Sequence, residues 1–196
     1  MINYAALLTY MGVTSVTPGP NNLTCLYLGA TGPLRSARSF LAGSWTGLFV
    51  KALLCGALNV ALAETVPALV PYLKWVGAAY MLYLGFVMAR EGFRKDEEES
   101  PRAAASTFMG GIALQCLNVK SWVAALSIFS VYVIPHTTAL SAIVLASAAF
   151  LLFVIVCSLA WFLFGRAIQR LYRRWKKPIS LLMGASLVYC AITALR

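Results

Sequence analysis

The chain has 196 residues, 61% of them hydrophobic and 11% charged, with a mean hydropathy of +0.79 and a formal net charge of +10. Soluble domains are nearer half apolar and a quarter charged, so a single water-facing core is excluded and lipid is the natural solvent. The basic balance would otherwise invite nucleic acid, but the basic residues lie in a few short loops between apolar blocks, which excludes that partner.

Six blocks approach the roughly 20 apolar residues needed to cross the hydrocarbon layer. They cover residues 4–29, 40–62, 68–89, 107–131, 139–165 and 179–195. Each must be a helix, because an open strand edge or irregular loop cannot face lipid. The expected fold is therefore an all-α integral membrane protein of six transmembrane helices. No basic residue precedes the first apolar run and no small-x-small cleavage site follows it, so it reads as a span rather than a removed signal peptide.

The first span is interrupted by Pro18-Gly19-Pro20-Asn21-Asn22. A helix running through Pro20 loses an N–H and meets the ring in its preceding turn, so it should break or kink there. The segment after the break begins with proline and two asparagines, a reasonable helix start whose free N–H groups suit a carboxylate. A structural kink satisfied by neighbouring helices is the competing reading.

The second span carries Gly43 and Gly47, a GxxxG pair that suggests close helix packing. It also carries Lys51, an intramembrane charge with no evident side-chain partner, since Glu64 is only at a rim and no other acidic residue lies in a span. Such a lysine is neutral, faces a water-filled cavity or meets substrate. After the third span comes the acidic run Asp96 to Glu99, read as a solvated linker.

In the fourth span Gln115, Asn118 and Lys120 fall within six residues, which is expensive in lipid and points to protein or water. Gln115 and Asn118 share a helical face, while Lys120 points elsewhere unless the helix unwinds. Lys120 either pairs with a substrate carboxylate, is held by carbonyls freed near Pro18, or snorkels to the headgroups. A substrate ammonium would be met by carbonyls, amides or the face of Trp45 or Trp122. Next, His136 falls in a short outer loop and reads as a surface residue. No Ser/His/Asp set, metal cluster or phosphate loop occurs, so no enzyme chemistry, cofactor or metal is expected.

Loop charge sets the orientation. Twelve basic residues follow spans one, three and five: Arg35, Arg38, Arg90, Arg94, Lys95, Arg102, Arg166, Arg170, Arg173, Arg174, Lys176 and Lys177. The opposite face has Lys74 and Arg196. The positive-inside rule puts the twelve in the cytoplasm and both termini outside. Short loops leave little soluble surface, so a homodimer would associate within the bilayer.

The two halves look related. Thr9-Tyr10-Met11-Gly12 parallels Thr107-Phe108-Met109-Gly110, and Trp75-Val76-Gly77-Ala78-Ala79 parallels Leu182-Met183-Gly184-Ala185-Ser186. Residues 1–95 and 106–196 then form two three-helix repeats, joined by a charged linker over 96–105. With three spans each, the copies cross in opposite senses, the inverted plan in which two broken helices meet at a midplane site. The offset of 98 residues set by Gly12 and Gly110 brings Pro20 onto Asn118.

Pro18-Gly19-Pro20-Asn21, the six spans and Asn118-Val119-Lys120 together resemble the LysE/RhtB family of amino-acid exporters over essentially the whole chain. Leu114 to Lys120, Gln169 to Arg173 and Leu187 to Ala191 are most similar to its cysteine/O-acetylserine branch. The resemblance implies export across a bacterial inner membrane driven by the proton gradient. Lys51 departs from the apolar residue expected in that family.

The leading expectation is a secondary exporter of a small amino acid, with Pro18, Gly19, Pro20, Asn21, Asn22, Gln115, Asn118, Lys120 and Lys51 forming its site. No carboxylate relay is available for proton coupling, so antiport would use another group. The alternative is a membrane thiol–disulfide electron carrier using Cys25 and Cys116. The repeat offset does not make those two cysteines equivalent. The five cysteines form no CxxC pair and read as small buried hydrophobes.

Overall fold

The computed structural model describes residues 2–93 and 107–195, the side chains of 60–71, 73 and 194 excepted. The acidic run and the whole of the 96–105 linker expected from the sequence lie outside the described residues, as do Arg94, Lys95, Arg102 and Arg196.

Every regular element among the described residues is helical. In chain order they are α1 (Tyr4–Val16), α2 (Pro20–Thr31), α3 (Leu34–Ala57) and α4 (Asn59–Glu91). After the linker come α5 (Phe108–Leu117) and α6 (Val119–Ser127), the latter continued by a π-helical stretch over Ile128–Val133. The chain ends with α7 (Leu140–Ala167), α8 (Gln169–Arg174) and α9 (Lys176–Leu195). Among the described residues, α3 and α7 are long and apolar enough to cross a membrane. The α5–α6 pair, bent by 66°, makes a third if taken as one span.

Local chemistry explains the ends. Asn3 caps α1 by accepting from the Ala6 N–H, and Thr107 caps α5 by accepting from Gly110. α1 stops where Thr17, preceding a proline, turns extended at φ −60°, ψ 140°. Pro20 then opens α2 at a position where its missing N–H costs nothing. The expected interruption of the first span is thus a full break of three residues. Two boundaries differ from expectation. α3 already ends at Ala57 and α4 starts two residues later, because Leu58 turns out of the helix at φ −110°, ψ 30°. The arginine-rich stretch after α7, read as a loop, contains the short helix α8, whose Tyr172 is buried against Ser180 of α9.

Three helix pairs pack most extensively: α2 with α7, α3 with α5, and α4 with α9. Glycines let the backbones meet in each. A Cβ on Gly29 would overlap the Phe162 carbonyl and one on Gly165 the Leu26 carbonyl. Gly43 and Gly111 stand in the same relation to Phe108 and Phe40, and Gly85 and Gly184 face each other's carbonyls. Gly47 also lies against α5, at Ile112 and Gln115, so the whole GxxxG pair of α3 serves one contact.

Candidate functional site

The second helix break has no proline. At Asn118 the backbone leaves the helix at φ −82°, ψ 93°, and α6 restarts at the next residue. The carbonyls that a continuous helix would have used are taken by side chains from elsewhere. Lys51 on α3 donates to the Gln115 carbonyl at 2.8 Å, and Trp122 Nε1 donates to the Cys116 carbonyl at 2.8 Å. A cation at the C-terminal end of α5 also complements the negative pole of that helix.

Lys51 is 4% exposed, and it makes further bonds to Gln115 Oε1 at 3.3 Å and to Ser121 Oγ. Its ammonium lies 5.4 Å from the centroid of the Trp122 ring. The expectation that Lys51 lacks a side-chain partner is therefore corrected. The partners are neutral groups on both sides of the α5–α6 break, and the Gln115 carbonyl is free to accept because the helix opens there. Lys51 is a pin across the break and does not line the cavity described below.

The first break is closed in the same manner from the other half of the chain. Lys120 on α6 donates to the Thr17 carbonyl at 3.0 Å, to Thr17 Oγ1 at 2.6 Å and, more distantly, to the Pro18 carbonyl at 3.5 Å. Of the arrangements open to Lys120, the structure has the one in which freed carbonyls hold the ammonium. Its side chain lies across Gly19, whose Cβ position is 3.4 Å from both Cδ and Nζ. The carbonyl ends of α1 and α5 each meet a lysine from another helix.

A buried chain of side chains joins the two breaks. Lys51 donates to Gln115 Oε1, and Gln115 Nε2 donates to Ser44 Oγ at 2.9 Å. Ser44 donates to Asn21 Oδ1 at 2.7 Å, and Asn21 Nδ2 donates to Asn22 Oδ1 at 3.4 Å. Asn22 Nδ2 ends the chain on the Ser15 and Thr17 carbonyls, at 2.8 and 3.0 Å. Every donor points the same way, and each link makes the next a better donor.

Beside this chain lies a cavity of about 50 Å³. Its polar side is formed by Ser15, Thr17, Asn21, Asn22, Gln115 and Asn118, with Gly19, Lys120 and Ser121 at its edge, and its apolar side by Leu48, Ala124, Phe150 and Val154. The volume holds one or two waters. Two polar groups there are left over. Ser15 Oγ is buried without a hydrogen-bond partner, and among the described residues the Asn118 side-chain amide makes no hydrogen bond.

The structure thus brings Gly19, Asn21, Asn22, Gln115, Asn118 and Lys120 to one cavity. Pro18 and Pro20 line a neighbouring hollow, and Lys51 stands behind Gln115. Ser15, Ser44 and Ser121 were missed by sequence reasoning. A signal existed for Ser44, which shares a face of α3 with Lys51 seven residues on. Trp45, considered for a substrate ammonium, instead donates through Nε1 to Ser158 at 3.0 Å, and Trp122 is engaged with Lys51. Cys25 is fully enclosed in the α2 core, whereas Cys116 is exposed, so no common face presents both thiols.

The model of the LysE type translocator family matches residues 6–196. The cysteine/O-acetylserine efflux protein of Escherichia coli (strain K12) is 33% identical over 188 residues, covering 96% of this chain and 95% of the relative. The protein of that name from Shigella sonnei (strain Ss046) matches to the same extent. That of Escherichia coli O139:H28 (strain E24377A / ETEC) is 32% identical over the same coverage. No solved structure matches the chain significantly. A match this complete, on a chain whose two broken helices open onto one cavity, means that the protein belongs to the LysE family of translocators and is a transporter, not an enzyme.

Proposed function

We propose that the chain exports a small amino acid or derivative of the cysteine/O-acetylserine kind from the bacterial cytoplasm by alternating access. In this reading α1–α2, α3 and α4 form one repeat of three spans, and α5–α6, α7 and α9 form its inverted copy. The cytoplasm lies on the face of the Arg/Lys-rich loops, and both termini lie outside. Supporting the repeat, α2 starts at Pro20 and α6 at Val119, within one residue of the register set by Gly12 and Gly110.

The observation that carries the reading is the pair of breaks meeting at one cavity, with Ser15 Oγ buried in it without a hydrogen-bond partner and the Asn118 side-chain amide unbonded among the described residues. A zwitterion suits such a place. The N-terminus of α2 attracts a carboxylate through free N–H groups, and the side-chain amide oxygen of Asn118 and the Ser15 hydroxyl accept from an ammonium. With room for only one or two waters, the cavity must widen to admit solute, which the rocking of one repeat against the other would do.

The reading is tested by a counterflow screen of amino acids in proteoliposomes, with and without an imposed proton gradient. Saturable exchange of O-acetylserine or cysteine is expected. Exchange of none of the amino acids tested would overturn the assignment. The electron-carrier alternative is not favoured, because it needs two thiols on a shared face and the relatives are efflux proteins.

A further inference from the structure

A larger hollow lies on the other side of the two breaks. Its volume is about 330 Å³, against about 50 Å³ for the central cavity, and it is lined by the breaks together with α4 and α9. Gly19, Asn118 and Lys120 line both spaces, so the breaks form the partition between them. On α4, Gly77 lies against the Leu117 carbonyl just before the second break, with a Cβ position only 2.5 Å from that oxygen. Lys74 is one turn from Gly77, about 4.5 Å along the axis, and also lines the hollow. Cys190 and Thr193, three residues apart on α9, complete it.

Two lysines therefore line one space, and among the described residues its lining holds no acidic side chain. Lys120 cannot be dismissed as a headgroup anchor, because it is bound to the end of α1. Lys74 serves no topological purpose either: basic residues are otherwise concentrated on the opposite set of loops, and one on this face works against the charge bias that orients the chain. Two like charges in a low-dielectric hollow repel unless an anion lies between them.

We propose that this hollow is a second solute site, which holds the carboxylate of the exported amino acid between Lys74 and Lys120 after it leaves the central cavity. The proposal rests on the export reading above and adds a step to it. Lys120 borders both spaces, so the carboxylate passes from one to the other without losing its cation. Lys74 then draws it outward. The hollow has room for a whole amino acid, whereas the central cavity does not as it stands.

Cys190 is a built-in reporter. In a variant retaining it as the sole cysteine, labelling from outside is followed with membrane-impermeant anionic and cationic methanethiosulfonates, each normalised to its rate with a free thiol. The anionic reagent is expected to be favoured by about tenfold or more, as a locally positive cleft concentrates anions. Lys74→Gln should reduce that preference, and O-acetylserine should slow labelling in the parent. Thr193→Cys in a cysteine-free background gives an independent second reporter. Counterflow is measured in the same vesicles. Absence of charge preference at both reporters, or labelling indifferent to O-acetylserine, overturns the second site even where counterflow is intact. Loss of counterflow with the labelling pattern preserved supports the site and counts against the export reading alone.

Discussion

Lys120 on α6 closes the end of α1, its ammonium 3.0 Å from the Thr17 carbonyl oxygen, and so ties the two broken helices to each other. The same ammonium borders both hollows. A cation in this position holds the first break in shape and, on the proposed export route, would meet a passing carboxylate.

Replacing Lys120 by methionine removes three hydrogen bonds to the first break. A hydrogen bond to a charged group is worth about 1.5–3 kcal/mol, so counterflow should fall at least about tenfold while the protein still inserts. Asn21→Ala, which cuts the side-chain chain beside Ser44, should also abolish transport. Unchanged exchange in both variants would remove these residues from the site.

The chain from Lys51 to Asn22 predicts a stability effect distinct from transport. Gln115→Leu leaves the Ser44 and Lys51 bonds unmade in a buried region, and should destabilise the protein by about 1–3 kcal/mol. In detergent this reads as a lowered Tm. A Tm equal to that of the parent would mean that the chain of side chains carries no stabilising energy.

Glycine substitutions should separate by position. Gly43→Val and Gly111→Val drive side-chain atoms into the backbone carbonyls of Phe108 and Phe40, which only backbone movement can relieve. Gly12→Ala meets Phe153 at an ordinary 3.5 Å and should be tolerated. Size-exclusion profiles and Tm of the purified variants decide this. Equal behaviour of all three would contradict the packing of α3 on α5.

Cysteine chemistry is expected to be dispensable. Serine at both Cys25 and Cys116 should leave counterflow in place, although Cys25 is fully buried and its replacement should lower Tm. Loss of transport at full stability and normal insertion would revive the electron-carrier reading.

Much of the molecule was legible in the chain itself. Its apolar blocks dictate helices, since backbone polar groups in lipid must bond within their own segment. Pro18 and Pro20 dictate the first break because proline's ring and missing N–H act locally. Nothing local dictates the second break, where Asn118 is flanked by good helix-compatible residues. That opening depends on acceptors being claimed from a distance: Lys51 takes the Gln115 carbonyl, Trp122 takes that of Cys116, and Gly77 lets α4 approach Leu117. Hydrogen-bond partners 64 residues apart leave no periodicity in the sequence, so Lys51 read as an orphan charge until α3 and α5 were placed together. For the same reason the polar residues pointed to a site, but only the packing decided that there are two hollows and which lysines face them.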